Sequence, residues 1–445
     1  MQLNCCKSWG CKNFGKPNSP DYEPISYHLG YPALHCKNCG SYPPLVDNSL
    51  VETLMTQFIP VQLPTWRNRC PNCQKLNIQR SGKTASGNQR FRCRDCAKVF
   101  TQPKPPDYAE LALLMQEIVA RRPATAAIER LNLSPKRYYQ LLHWCAIILT
   151  GYSRLLESLC LPTNFLALQS ESYVLNLQSG LRVWLITSAE SVSGYQLLTT
   201  HNIGAKGTSR GIYQGDVDNR LDTFAERPLT DALKKRYQQL MNRYHFEDLQ
   251  YGASKGWPDA PLIQPAPIAY AHFQLLRLTY SNKEHIHHYL EQDSCIRSAA
   301  IMGVVDEIAQ QQAEIFYLFA HPDRQTAFLA DGRPVGWWKD RWFSTPFGGY
   351  CPITERVQYS YPFQMRDIHT NQHYFDYLSV NLNSKVKRLA PLNDHLQIQR
   401  CRYNFIHRAT EAPPAHYLNM PTFKTSEALL HAAYNAYVDA KQAHK

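Results

Sequence analysis

Two Cys-x-x-Cys pairs, Cys70/Cys73 and Cys93/Cys96, are separated by nineteen residues. Each pair can turn two thiolates toward one ion, so four soft sulfurs at this spacing describe a tetrahedral zinc site. The segment between them alternates: Asn77-Ile78-Gln79-Arg80, a Ser/Gly/Lys turn over Ser81 to Gly87, then Arg90-Phe91-Arg92. That pattern predicts a hairpin, the frame of a zinc ribbon. A less regular set lies upstream, where Cys36 and Cys39 pair and Cys11 is joined by either Cys5 or Cys6. Either spacing closes a turn; Cys5 is the favoured fourth ligand and Cys6 stays open. Modules this small cannot bury an adequate core, so the two Zn²⁺ ions are expected to supply folding energy. Four protein ligands leave no open coordination position, which excludes a catalytic role for either ion.

Nine of the 14 cysteines precede residue 97, and in a chain whose first residues lack the apolar core of a signal peptide they point to metal rather than disulfides. No apolar stretch is long enough for a membrane helix, so a soluble, cytoplasmic, nucleoid-associated protein without membrane contact is expected. The net charge is +12, and it is concentrated. Residues 1–100 carry thirteen Lys/Arg against five Asp/Glu, and residues 379–408 carry six against one. Two polyanion-facing surfaces follow. Around the second ribbon stand Arg67, Arg69, Arg80, Lys83, Arg90, Arg92, Arg94 and Lys98, interleaved with Trp66, Phe91 and Phe100. Cations with aromatics suit a phosphate backbone.

Behind a proline-rich linker at residues 101–107, apolar residues recur at Leu111, Leu114, Met115, Ile118 and Val119, one face of a helix. A short helix over Ala124 to Leu131 and a turn at Asn132-Leu133-Ser134-Pro135 follow, with Ser134 as N-cap and Pro135 in the first helical position. The third helix is predicted from Pro135 to about Leu149, with Tyr138, Leu141, Leu142 and Cys145 inward and Lys136, Arg137, Tyr139, Gln140 and His143 outward. Short helix, tight turn and longer helix with a polar start describe a helix-turn-helix. Lys136, Arg137 and Gln140 are then the DNA-reading candidates.

From Asn164 the signal changes to strands. Phe165 to Gln169 continues through Tyr173 to Leu177, and Arg182–Thr187 and Tyr195–Thr200 flank a turn at Ser191 to Gly194, giving a three-stranded meander. Residues 204–262 form a polar insertion with a helix near Leu229 to Tyr244. Ala269 to Thr279 is a strand or a helix. Ile286 to Leu290 predicts a strand, Ser294 to Gln311 a helix with Ile296, Ala299, Ala300, Val304 and Ile308 inward, and Glu314 to Phe319 a further strand. This is the element order of an RNase H-like domain. The expected fold class is multidomain: two zinc ribbons (1–60 and 61–102), an all-α helix-turn-helix (107–160), an α/β RNase H-like domain (164–420) and a C-terminal helix (421–445).

Together these residues resemble bacterial insertion-sequence transposases. The match is carried by Cys70-Pro71-Asn72-Cys73, Arg80-Ser81-Gly82-Lys83 and the run from Gln89 to Thr101, and Cys11-Lys12-Asn13-Phe14-Gly15 resembles the start of an extra ribbon in related proteins. The resemblance implies double-stranded DNA as partner, a homo-oligomeric assembly, and cleavage and strand transfer by three carboxylates holding Mg²⁺ or Mn²⁺. Glu171 stands where the first acid, usually Asp, is expected; Asp293 fits the second; Asp376, on a predicted helix from Tyr374 to Leu389, is the candidate third, with Asn381 as an alternative and Asp306 and Asp367 further off. Lys385, Lys387, Arg388, Arg400, Arg402 and Arg408 form a basic run suited to gripping DNA. Three readings follow: an active transposase, a transposase-derived DNA-binding protein without catalysis (a regulator or recognition subunit), and an RNA-binding zinc-ribbon protein. They differ in whether Glu171, Asp293 and a late acid converge.

Overall fold

The computed structural model describes residues 1–25, 33–64, 70–73, 75–101, 105–177, 182–205, 252–254, 257–291, 293–320, 343–345, 348–354, 370–382, 389–408 and 411–442. The predicted helix over Leu229 to Tyr244, Asp367, Lys385, Lys387 and Arg388, and the flank Trp66, Arg67 and Arg69, lie outside the described residues. The chain divides into two compact units that do not follow chain order, residues Met1–Met55 with Pro162–Asp376 and residues Thr56–Leu161 with Tyr377–Lys445.

The first unit is built on a seven-stranded sheet. Strands β4 (Phe165–Asn176), β5 (Arg182–Glu190) and β6 (Gln196–His201) form an antiparallel meander. β9 (His285–Glu291) runs parallel to β4, and β10 (Ala313–Ala320) runs parallel to β9. A hairpin of β11 (Phe343–Thr345) and β12 (Gly348–Pro352) extends the far edge, giving the order β11-β12-β10-β9-β4-β5-β6. A separate hairpin, β7 (Gly252–Ser254) with β8 (Trp257–Leu262), precedes helix α5 (Pro265–Tyr280). β5 and β6 are buried nearly end to end rather than on alternate residues, because both faces of the sheet are covered. On one face, His272 of α5 meets Ser188 Oγ at 2.8 Å and Thr200 Oγ1 at 3.0 Å. On the other, α8 (Thr370–Asn381) stacks Phe375 on Tyr173 with ring centroids 4.7 Å apart, and Asn371 donates to the Gln169 carbonyl at 3.1 Å.

Of the two conformations open to Ala269 to Thr279, the chain takes the helix, within α5. Two predicted elements differ from expectation. The helix predicted over Ser294 to Gln311 is two helices, α6 (Ser294–Gly303) and α7 (Val305–Ala309), broken at Val304, whose φ of −137° and ψ of 29° leave the helical region. Gly303 at the break backs onto Phe273, 2.9 Å from where a Cβ would sit. Helix α8 begins earlier than expected and ends at Asn381. The inward residues Ile296, Ala299, Ala300, Val304 and Ile308 are all buried, as the periodicity requires.

The second unit carries a three-stranded sheet, β1 (Ile78–Lys83), β2 (Gln89–Cys93) and β3 (Val99–Thr101). Its helices are α2 (Tyr108–Val119), α3 (Ala124–Arg130), α4 (Pro135–Cys160), α9 (Leu389–Phe405) and α10 (Ser426–Gln442). Asn132 enters the turn before α4 with a φ of +50°, and Ser134 Oγ accepts the Arg137 amide at 3.2 Å, the cap expected of this residue. Tyr138, Leu141, Leu142 and Cys145 are buried as predicted, but Val119, expected on the apolar face of α2, is 42% exposed in the last helical turn. α4 runs to Cys160, about three turns past its predicted end. Its added length packs Glu157 against α9, where Arg400 Nη1 lies 3.5 Å from the Glu157 carboxylate and Arg154 Nη1 lies 2.5 Å from it. One further helix, α1 (Asn48–Gln62), spans the division between the units; Asp47 Oδ1 accepts the amides of Ser49 at 2.9 Å and Leu50 at 3.1 Å at its start.

Candidate metal centres and nucleic-acid interface

Among the described residues, two groups of His, Cys, Asp or Glu bring three or more ligand atoms within 4.8 Å of one another: Cys6, Cys11, Cys36 and Cys39, and Cys70, Cys73, Cys93 and Cys96. In the first, Cys6 Sγ lies 3.5 Å from Cys39 Sγ and Cys11 Sγ lies 3.8 Å from Cys36 Sγ. In the second, Cys70 and Cys96 stand 3.4 Å apart, and Cys73 and Cys93 3.5 Å. With a Zn–S bond of about 2.3 Å, the edge of a tetrahedron of sulfurs is about 3.8 Å. Both quartets therefore fit one four-coordinate zinc ion each, with folding energy as its contribution. The Cys96 thiol is drawn down to about 6, first by the Lys98 amide and then by the Asn72 side chain, which favours the thiolate that zinc takes.

The favoured ligand Cys5 is corrected to Cys6. The two residues lie in extended chain, with Cys5 bridged to Pro17 and Cys6 to Phe14. Successive side chains in extended backbone point to opposite sides, so only one of the pair can face the metal. Cys6 does. Cys5 Sγ points the other way and lies 3.3 Å from Met302 Sδ.

Strand pairing sorts the second ribbon into two faces. Arg80 pairs with Phe91, and Phe91 with Phe100; the two phenyl rings lie 5.9 Å apart on the side shared with Cys93. Arg92 pairs with Gln79 and Val99, and Arg90 with Thr101, so Arg90 and Arg92 share the opposite face. Both are exposed, as are Arg80, Lys83, Arg94 and Lys98. Among the described residues no carboxylate pairs with Arg90 or Arg92, and Arg94 Nε donates to Gln79 Oε1 at 3.0 Å on the edge of their face.

In the helical module Lys136 and Gln140 are exposed on α4. Arg137 is held differently: its guanidinium donates to both carboxylate oxygens of Glu110, at 3.3 Å from Nε for one of them. His143 Nδ1 lies 2.9 Å from Asp394 Oδ1 on α9. The basic run is also reduced. Arg400 is fully buried against Glu157 and Ser153, so it cannot meet a phosphate. Arg402 donates to Ser426 Oγ at 3.0 Å and Gln399 Oε1 at 2.8 Å, and Arg408 sits 4.3 Å over the Tyr403 ring.

The carboxylates gather where the middle of β4 runs beside the end of β9. Ser170 pairs with Leu290, which sets Glu171 beside Glu291. Glu291 went unnoticed in the sequence, although it closes the predicted strand in Glu291-Gln292-Asp293. Its carboxylate accepts the Ser172 amide at 3.2 Å and the Ser172 hydroxyl. Desolvation, with the neighbouring charges of Asp293 and Glu171, pushes Glu291 up to about 8. Asp293 is the N-cap of α6: its Oδ1 accepts the amides of Cys295 at 2.7 Å and Ile296 at 3.0 Å. Asp376 is exposed on α8 and accepts from Gln372 Nε2 at 2.8 Å, while the buried positions of that helix are Thr370, Asn371, Tyr374, Phe375 and Leu378.

The family described as the InsA N-terminal domain, a zinc ribbon, matches residues 68–97. The insertion element iso-IS1N protein InsA of Shigella dysenteriae is 52% identical over 31 residues, which is 7% of this chain and 34% of that protein. The chain thus spans about a third of the length of the curated relative it matches. No solved structure matches the chain. Residues 68–97, which hold the second cysteine quartet and its hairpin, are thus similar to an InsA-type zinc ribbon. Among the described residues, no helix is long and apolar enough to cross a membrane.

Proposed function

We propose that this chain is a DNA-binding protein of insertion-element type that grips duplex DNA with its second zinc ribbon. The observation that carries the reading is the exposed Arg90 and Arg92 face on a ribbon of InsA type. Zinc holds the hairpin rigid, so the guanidinium groups keep their spacing along a phosphate backbone without prior ordering. The α2-α3-α4 module, with Lys136 and Gln140 exposed at the start of α4, supports a helix-turn-helix that adds groove contacts. The order β6-β5-β4-β9-β10, a meander whose first strand pairs in parallel with β9, which in turn pairs in parallel with β10, supports an RNase H-like fold for the α/β unit. An assembly of several copies on DNA belongs to the same proposal. Fluorescence anisotropy with a labelled duplex tests it: tight, salt-sensitive binding is expected, and indifference to duplex DNA at low salt overturns it.

Strand transfer is the second reading, favoured by the nearness of Glu171 on β4 to Glu291 and Asp293 at the end of β9. As placed, these acids do not fit a Mg²⁺ or Mn²⁺ pair. Asp293 gives one carboxylate oxygen to the α6 amides, and among the described residues no carboxylate trio has ligand atoms within 4.8 Å of one another. The recognition reading is therefore preferred. Mg²⁺-dependent nicking of the DNA flanking the gene, abolished by Asp293→Ala, is the result that reverses this preference.

A further inference from the structure

The two cysteine modules differ in what surrounds them. The second carries exposed arginines. The first is sunk into its own unit: Leu3, Cys5, Cys6 and Asn13 are buried, and its Lys7 is only 6% exposed. Lys7 Nζ sits 5.7 Å over the Tyr270 ring of α5 and donates to the Cys5 carbonyl at 3.3 Å. A cation held there cannot reach a phosphate. Cys5 Sγ meets Met302 of α6 at 3.3 Å. Gly15, with a φ of +68°, lies so close to α7 that a Cβ would come within 2.2 Å of Val305 Cγ2.

We propose that the first cysteine module is a metal-dependent clasp on the α5-α6-α7 face of the α/β unit. Its partner is that helical face of the same chain. The two functions of the module are joined at single residues. Cys5 and Cys6 are neighbours on opposite sides of an extended segment, one thiol in the clasp and the next on the metal. The Gly15 amide donates to the Cys6 carbonyl at 2.9 Å, which ties the Val305 contact to the same ligand. Removing the ion frees the loop that presents Cys5 and Gly15, and the cover over Met302 and Val305 goes with it. The clasp goes beyond the DNA-binding reading and does not require it.

Hydrogen exchange on the zinc-loaded full chain, with zinc counted in the same samples, tests the clasp. Cys39→Ser removes one zinc ion and speeds exchange across residues 294–309 by about tenfold or more, the signature of local opening. Cys96→Ser also removes one zinc ion and leaves that segment unchanged. A second route spares the ligands. Gly15→Ala keeps both ions and speeds exchange in the same segment, while Gly15→Ala with Val305→Ala recovers part of the protection, because the next atom, Val305 Cβ, stands at 3.6 Å and only the backbone strain of alanine at a φ of +68° remains. Unaltered exchange at 294–309 after zinc loss from the first site overturns the clasp. So does a Gly15→Ala effect that is the same with and without Val305→Ala, or equal loss of protection in Cys96→Ser. Should Cys39→Ser not fold, the Gly15 and Val305 pair decides alone.

Discussion

Replacing Arg90 and Arg92 together with alanine removes two cations from one exposed strand face without touching the metal. Both side chains lie opposite the Phe91–Phe100 contact and Cys93, so the ribbon should keep its zinc and its fold. If each arginine neutralises one phosphate, the slope of log K against log salt becomes shallower by about 0.9 per residue, or about 1.8 for the pair. Between about 50 and 200 mM salt the native protein then loses about twelvefold more affinity than the double variant. Anisotropy titrations of a labelled duplex at four salt concentrations measure this directly, and zinc content is checked in parallel. Arg137→Ala serves as the control, since Glu110 already neutralises its guanidinium; its slope should move much less. A double variant with the native slope refutes the assignment of this face to DNA. An equally large change from Arg137→Ala refutes the reasoning that ion pairing removes a cation from the interface.

Further outcomes follow from other sites. Cys6→Ser should bind one zinc ion fewer per chain, whereas Cys5→Ser should bind the native number, as counted by elemental analysis. Arg400→Ala removes one of the two guanidinium groups on the buried Glu157 carboxylate while Arg154 stays 2.5 Å from it, and urea unfolding should show a loss of about 1–3 kcal/mol; no measurable change contradicts the buried network. Glu291 has a folded-state value near 8, above the ordinary 4.5. The stability linked to its proton is complete below the ordinary value and is lost as pH rises through the folded one. Glu291→Gln should flatten that decline between about pH 5 and 8, and an unchanged pH profile of the melting temperature counts against the buried carboxyl.

The zinc quartets were legible because thiolate spacing is a local property, and β4, β5, β6, β9 and β10 because β-rich runs were bounded by turn residues; the hairpins β7–β8, inside the stretch expected to be a polar insertion, and β11–β12 lack such runs. The choice of Cys5 over Cys6 failed where alternation matters: two adjacent thiols have equal reach in sequence and opposite directions in an extended chain. Arg400 was taken as a surface cation because a single sequence does not reveal that α4 is long enough to bring Glu157 against it. Glu291 was hidden by its place at a strand end, where an acid is an ordinary terminator, and only the parallel pairing of β4 with β9 sets it beside Glu171. Helix α1 went unread inside the first ribbon's bounds, although Leu50, Val51, Leu54, Met55 and Phe58 fall on one buried face; Pro60, inside its last turn, disguised the pattern.

The central claim is that zinc-clamped thiolates hold cationic side chains for duplex DNA, and stripping the metal examines it most directly. Chelator-treated protein should lose salt-sensitive duplex binding and regain it on addition of two equivalents of Zn²⁺ per chain, the number the two cysteine quartets hold. Binding that persists unchanged without zinc, or that never occurs with it, contradicts the account.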